Sequence, residues 1–153
     1  MPDAYSQIYI HIVMVVKYRK AQISLIWEEE LYKYITGIVQ KKGHKMLSIN
    51  GMPDHLHIFL NFNPEFELSG LVREIKKSSN HFINKNNYTA ERFYWQAGYG
   101  AFSYGQSQLS RVITYIERQK EHHQNKKTKD EYIQLLRMFE IDFKEKHLFN
   151  WID

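Results

Sequence analysis

Apolar and polar positions alternate along residues 5–16. Ile8, Ile10, Ile12, Met14 and Val16 form one side, and Gln7, Tyr9, His11, Val13 and Val15 the other. A period of two predicts a β-strand. The period then lengthens. Over residues 24–42, Trp27, Leu31, Ile35, Ile38 and Val39 recur at helical spacing, with Ser24 as the expected cap and Gly43 as the stop. A short strand is expected over 45–50 and a turn at Gly51-Met52-Pro53-Asp54. A second strand runs to about residue 62, so the pair reads as a hairpin. Leu68, Leu71, Val72, Ile75, Phe82 and Ile83 line a helix over 68–84, with Arg73, Lys76, Lys77 and Asn80 on its outer side. A glycine-bracketed strand follows at 99–104, then a helix over 107–123 opened by Ser107. Thr128-Lys129-Asp130-Glu131 has the form of a capping box for a last helix ending near Phe139. The tail from Phe143 onward is aromatic and charged, and the pattern assigns it no element.

The order β-α-β-β-α-β followed by helices predicts an α+β, ferredoxin-like antiparallel sheet with helices on one face. The expected organisation is a single domain over 1–153. It comprises a core over 5–104, a helix over 107–123 and a helical tail over 128–153. One strand then stands out. In Asp54-His55-Leu56-His57-Ile58-Phe59-Leu60, side chains alternate, so His55 and His57 share a face about 6.8 Å apart along the chain. Leu56, Ile58 and Leu60 point under the helices, which leaves the histidines on the face expected to be open. His11 joins them if Ile8 to Val16 pack inward. Two adjacent imidazoles on an apolar strand suggest a divalent metal. His11 alone reads more readily as an ordinary strand residue.

Composition narrows the classes. The chain has 153 residues, 43% hydrophobic and 25% charged, with no cysteine and a formal charge of +4. That is the balance of an ordinary globular protein. Thiolate metal sites and disulfides are excluded. No run approaches the roughly 18 apolar residues of a membrane span, and the first residues lack the basic start of a signal peptide. These features favour the cytoplasm. The charge is compatible with a polyanionic partner without establishing one.

The helix over 107–123 supplies a second half to the histidine site. Tyr115, Gln119 and His122 fall along one ridge, so a hydroxyl nucleophile sits one turn from an amide oxygen able to bind a metal. His122 and His123 also suit a helix C-terminus, where the dipole favours them.

Four blocks carry a resemblance. They are Lys17-Tyr18-Arg19, the run from Asn50 to His57, the run from Trp95 to Ser103, and the run from Tyr115 to His123. In this order and spacing the chain resembles the single-tyrosine transposases of the HUH superfamily, which mobilise small bacterial insertion sequences. Tyr104-Gly105-Gln106 is less typical of them. The resemblance implies that Tyr115 is the nucleophile and that His55, His57 and Gln119 bind Mg2+ or Mn2+. It further implies cleavage and rejoining of single-stranded DNA by transesterification, through a 5′-phosphotyrosine intermediate. It implies recognition of hairpins at the element ends. It also implies a homodimer whose active sites are shared between subunits. Lys17, Arg19, Arg73, Lys76 and Lys77 are candidate phosphate contacts, although Lys76 and Lys77 fit a solvated helix face equally well. Two other classes stand beside this one: a non-catalytic module binding single-stranded nucleic acid, and a domesticated nuclease acting on dispersed repeats.

Overall fold

The computed structural model describes residues 4–152. Its strands are β1 (Tyr9–Val15), β2 (Lys45–Met52), β3 (His55–Asn61) and β4 (Gly100–Tyr104). They form one antiparallel sheet in the order β2-β3-β1-β4, the ferredoxin-like arrangement. The helices are α1 (Glu28–Lys41), α2 (Leu68–Lys85), α3 (Leu109–Glu117), α4 (Gln119–His122) and α5 (Thr128–Met138). Among the described residues, no helix is long and apolar enough to cross a membrane.

The expected inward face is the main core. Ile12, Met14, Leu56, Ile58 and Leu60 are wholly buried against Leu31, Ile35, Val39 and Ile75 of α1 and α2. The other face is not open, contrary to expectation. Val112 and Ile116 of α3 pack on Tyr9 and Phe59, while Tyr132, Leu135 and Leu136 of α5 pack on Val13, Val15 and Phe102. The reason lies in those strand residues. A face that carries Val13, Val15, Phe59 and Phe102 must be covered to remove their surface from water. The tail joins this cover through Phe149 and Trp151, which pack around Tyr132.

Several ends also differ. β1 begins at Tyr9 rather than Tyr5, whose side chain is 98% exposed. Ser24 closes a turn instead of capping α1: its carbonyl accepts the Trp27 and Glu28 N–H groups, and its hydroxyl accepts that of Ile26. The helix expected over 107–123 starts in a 3-10 turn at Gln106–Gln108 and breaks at Arg118, where ψ reaches 19°. The Asn50 side-chain amide donates to the carbonyls of Ile116 and Glu117, at 3.0 and 3.1 Å. It thus satisfies groups that a helix end leaves bare. Finally, Thr128 does not form the expected capping box with Glu131. Lys127 occupies the cap position, the Thr128 hydroxyl donates to Asp54 at 2.6 Å, and the Glu131 carboxylate turns toward the histidines.

α5 approaches the sheet closely at Gly100. A Cβ there would lie 2.7 Å from the Tyr132 ring. Only glycine leaves room for this contact.

Candidate active site

The site grows from β3. Alternation places His55 and His57 on the α3–α5 side, where both are fully buried. Asp54 precedes them, and its Oδ1 lies 2.8 Å from His55 Nδ1, which fixes that ring with Nε2 toward the centre. His57 is held from behind: its Nδ1 lies 2.7 Å from Nε2 of His11 on the neighbouring strand. The expectation that His11 shares this face is correct.

α3, α4 and α5 bring the remaining groups. Gln119 Oε1 lies 3.1 Å from His55 Nε2. Glu131, from α5, is the hub. Its Oε1 is 3.0 Å from His57 Nε2, 3.1 Å from His123 Nε2 and 3.3 Å from His55 Nε2. Its Oε2 accepts hydrogen bonds from the Tyr115 hydroxyl and, at 3.0 Å, from Gln119 Nε2. The four residues singled out in the sequence, His55, His57, Tyr115 and Gln119, therefore meet around one carboxylate within a single chain.

Glu131, Asp54 and Lys120 were missed. Glu131 was hidden by its fit to a capping box. Lys120 anchors α4, donating to Glu28 Oε2 and Asn50 Oδ1 at 3.0 Å each. His123, which reads in the sequence more readily as a residue favoured at a helix end than as a metal ligand, belongs to the cluster.

Electrostatics follow from burial and contact. Burial would lower the His55 pKa, but hydrogen bonds to Asp54 and Glu131 and their charges raise it to about 9. Burial lowers His57, with the Glu131 charge only partly opposing it. His11 is lowered further, by burial and then by the His57 charge. Burial would raise the Asp54 carboxyl, yet the His55 and Thr128 hydrogen bonds take it below its usual value. Glu131 is likewise drawn far below the carboxylate range, its burial outweighed by His57, His123 and His55. Tyr115 is pushed up by burial and then by the Glu131 charge. As it stands, the arrangement keeps the hydroxyl protonated.

One proton lies between His57 Nδ1 and His11 Nε2. If His11 carries it, neutral His57 has its own proton on Nε2 and donates to Glu131. If His57 Nδ1 carries it, His57 Nε2 presents a lone pair to the centre. The second state leaves an N–H on His11 Nδ1, which is buried with no partner, and an unmade buried donor is costly. A cation at the centre would offset that cost. The nitrogen and oxygen atoms of His55, His57 and Glu131 lie within 4.8 Å of one another. Their donor set can hold a divalent metal.

A cleft of about 420 Å³ reaches this centre between α3 and α5, with Tyr115 and Glu131 in its wall. Of the candidate phosphate contacts, Lys17, Arg19, Arg73 and Lys77 are exposed. Lys76 is half-buried, and its ammonium donates to the carbonyls of Gln96 and Gly98. Burial lowers its pKa. It fastens α2 to the segment before β4.

Comparisons with known proteins fit this picture. Residues 4–119 match the family model described as "Transposase IS200 like". The fold is shared with a crystal structure of a Deinococcus radiodurans R1 protein provisionally described as a transposase. That protein is 18% identical with a TM-score of 0.60, over 78% of this chain and 95% of that one. It is shared also with a REP-associated tyrosine transposase bound to a REP hairpin. Here the identity is 16% and the TM-score 0.60, over 80% of this chain and 73% of the other. No curated protein matches. Glu131 and all of α5 lie beyond the residues matched by the family model.

Proposed function

Because this chain belongs to the family of IS200-like transposases, we propose that it cleaves and rejoins single-stranded DNA by transesterification through Tyr115. The observation that carries this reading is the convergence of Tyr115, Gln119, His55 and His57 on the Glu131 carboxylate. A tyrosine hydroxyl that meets a cluster of metal-binding donors inside a DNA-transposing family has one evident use.

His55 Nε2, His57 Nε2, Glu131 Oε1 and Gln119 Oε1 would hold the divalent ion. His ligands alone suit zinc or manganese, while the two oxygens bring Mg2+ and Mn2+ within range. When bound, such an ion stabilises negative charge on the phosphate oxygens. The chain supplies the rest. Tyr115 attacks the phosphorus, and its proton leaves to solvent by way of Glu131 Oε2, which already accepts its hydrogen bond. A carboxylate held so far below its usual range relays the proton and does not keep it. The new bond joins the Tyr115 oxygen to the 5′-phosphate. The bond to the 3′-oxygen breaks, and that oxygen leaves as a hydroxyl after gaining a proton. Attack by another 3′-hydroxyl on the adduct reverses these roles and releases Tyr115. Ester is exchanged for ester, so no nucleotide hydrolysis is needed. Asp54 orients His55, and His11 sets the His57 tautomer.

The exposed surface suits a strand with free bases. Lys17 lies 5.3 Å from the Tyr18 ring and 5.9 Å from that of Tyr94, while the Arg92 guanidinium lies 5.4 Å from Tyr94. Cations interleaved with exposed aromatics are the usual means of holding single strands. The hairpin carried by the REP-associated relative supports a structured single strand as substrate. A homodimer would serve to hold two DNA ends together.

The test is a covalent adduct. Single strands from the gene's flanks, with Mg2+ or Mn2+, should give a protein–DNA species on a denaturing gel, and Tyr115→Phe should lose it. Adduct in Tyr115→Phe would move the nucleophile elsewhere. No adduct with any flank strand would favour the binding-module reading.

A further inference from the structure

The cleft between α3 and α5 does more than admit solvent to Tyr115. Its size falls in the roughly 300–1,000 Å³ range of small-ligand sites, and its lining is mixed. Val112, Leu135 and Met138 give it apolar wall, and Met138 is 60% exposed without a cover. Arg111 and Lys126 stand in the same wall as cations. The acid present, Glu131, is already engaged by three imidazoles.

His122 also lines the cleft. Its ring lies against Tyr115, with centroids 4.9 Å apart and planes at 33°. Its Nε2 is buried with no hydrogen-bond partner. Buried polar atoms in folded proteins are nearly always paired. An unpaired one in the wall of a cleft marks a place where a ligand atom belongs.

We propose that this cleft is a subsite for one unpaired nucleotide beside the scissile phosphate, with the base edge hydrogen-bonded to His122 Nε2 and the phosphate facing Arg111 and Lys126. The inference rests on the strand-transfer reading above and extends it. The apolar wall takes a base face, which a paired and stacked base in a duplex does not offer. The imidazole on Tyr115 ties the two events: seating the base places the adjacent phosphate at the hydroxyl. His122 is thus a positioning residue.

An abasic scan tests this. A flank-derived strand that forms the adduct is remade with one abasic nucleotide at a time, and its dissociation constant is measured by fluorescence anisotropy. The wild-type protein should show one position, next to the cleavage point, where loss of the base weakens binding about tenfold. His122→Phe keeps the ring on Tyr115 and removes the nitrogen. Gln134→Trp, at an exposed position in the cleft wall, fills the space without touching the core. Both should flatten the scan at that position, and His122→Phe should raise KM more than it lowers kcat. A flat wild-type scan, or one unchanged in both variants, overturns the subsite while leaving the adduct chemistry standing. Failure of every flank strand to form an adduct overturns both.

Discussion

The two faces of the sheet are covered by helices in different ways. Under α1 and α2 the contact is almost wholly apolar, with Ile12, Met14, Leu31, Ile35, Leu56 and Ile58 fully buried. Under α3 and α5 an apolar rim surrounds a buried polar centre of His11, His55, His57, Gln119 and Glu131. Burying apolar surface stabilises a fold, whereas burying titratable groups costs stability unless each is paired. The first face therefore holds the molecule together, and the second uses part of that stability to keep buried titratable groups in place.

Truncation of the first face should have the largest thermodynamic effect. Leu31→Ala should lose about 2–5 kcal/mol in denaturant unfolding, yet leave the adduct yield per folded molecule unchanged. A matching loss of chemistry would mean that the two faces are not separable.

The polar centre should answer to metal instead. At a hundredfold excess over Kd, a bound ion stabilises by about 2.7 kcal/mol. Mn2+ should therefore raise the Tm of the wild-type protein, and Glu131→Gln should abolish most of that rise. The neutral amide keeps the shape and removes the charge. An undiminished Mn2+ shift in Glu131→Gln would leave His55, His57 and Gln119 as the ligand set without it.

These faces were unequally legible in the chain. The first was readable because alternation in β1 and β3 and helical spacing in α1 and α2 are local patterns, and they state which residues turn inward. His55, His57, Tyr115 and Gln119 could be singled out as candidates for a similar reason: each pair is close in sequence. Glu131 was not, because its role depends on α5 folding back 74 residues along the chain onto His57. Locally, Thr128 and Glu131 look like a helix start. The covering of the second face could have been foreseen from Val13, Val15 and Phe59. An uncovered sheet surface would not carry three large apolar residues around its histidines.

The contact between β4 and α5 on the second face offers a smaller test. Gly100→Ala would drive a Cβ into the Tyr132 ring, an overpacking worth about 1–3 kcal/mol. Since the strain falls on α5, hydrogen exchange should quicken in Thr128–Met138 and remain slow in α1. Uniform quickening would show that the cover and the core unfold as one unit.

The smallest effect is a pH dependence confined to the turn between α1 and β2. His44 is 3% exposed and lies against Phe62, with ring centroids 4.8 Å apart. Its Nδ1 accepts the Asn63 N–H at 2.8 Å, so that nitrogen must stay unprotonated. Burial, and then the Lys42 charge, lower its pKa from 6.5. The unfolded chain therefore binds the proton more readily than the folded one. The stability that neutral His44 contributes is fully present above pH 6.5 and is lost as pH falls below 6.5 through the folded-state value. His44→Phe cannot titrate, so the difference in Tm between pH 7.5 and 5.5 should be smaller in the variant than in the wild type. Because this turn lies outside the polar centre, adding Mn2+ should leave that difference between the two proteins unchanged. A metal-sensitive difference would tie His44 to the second face after all.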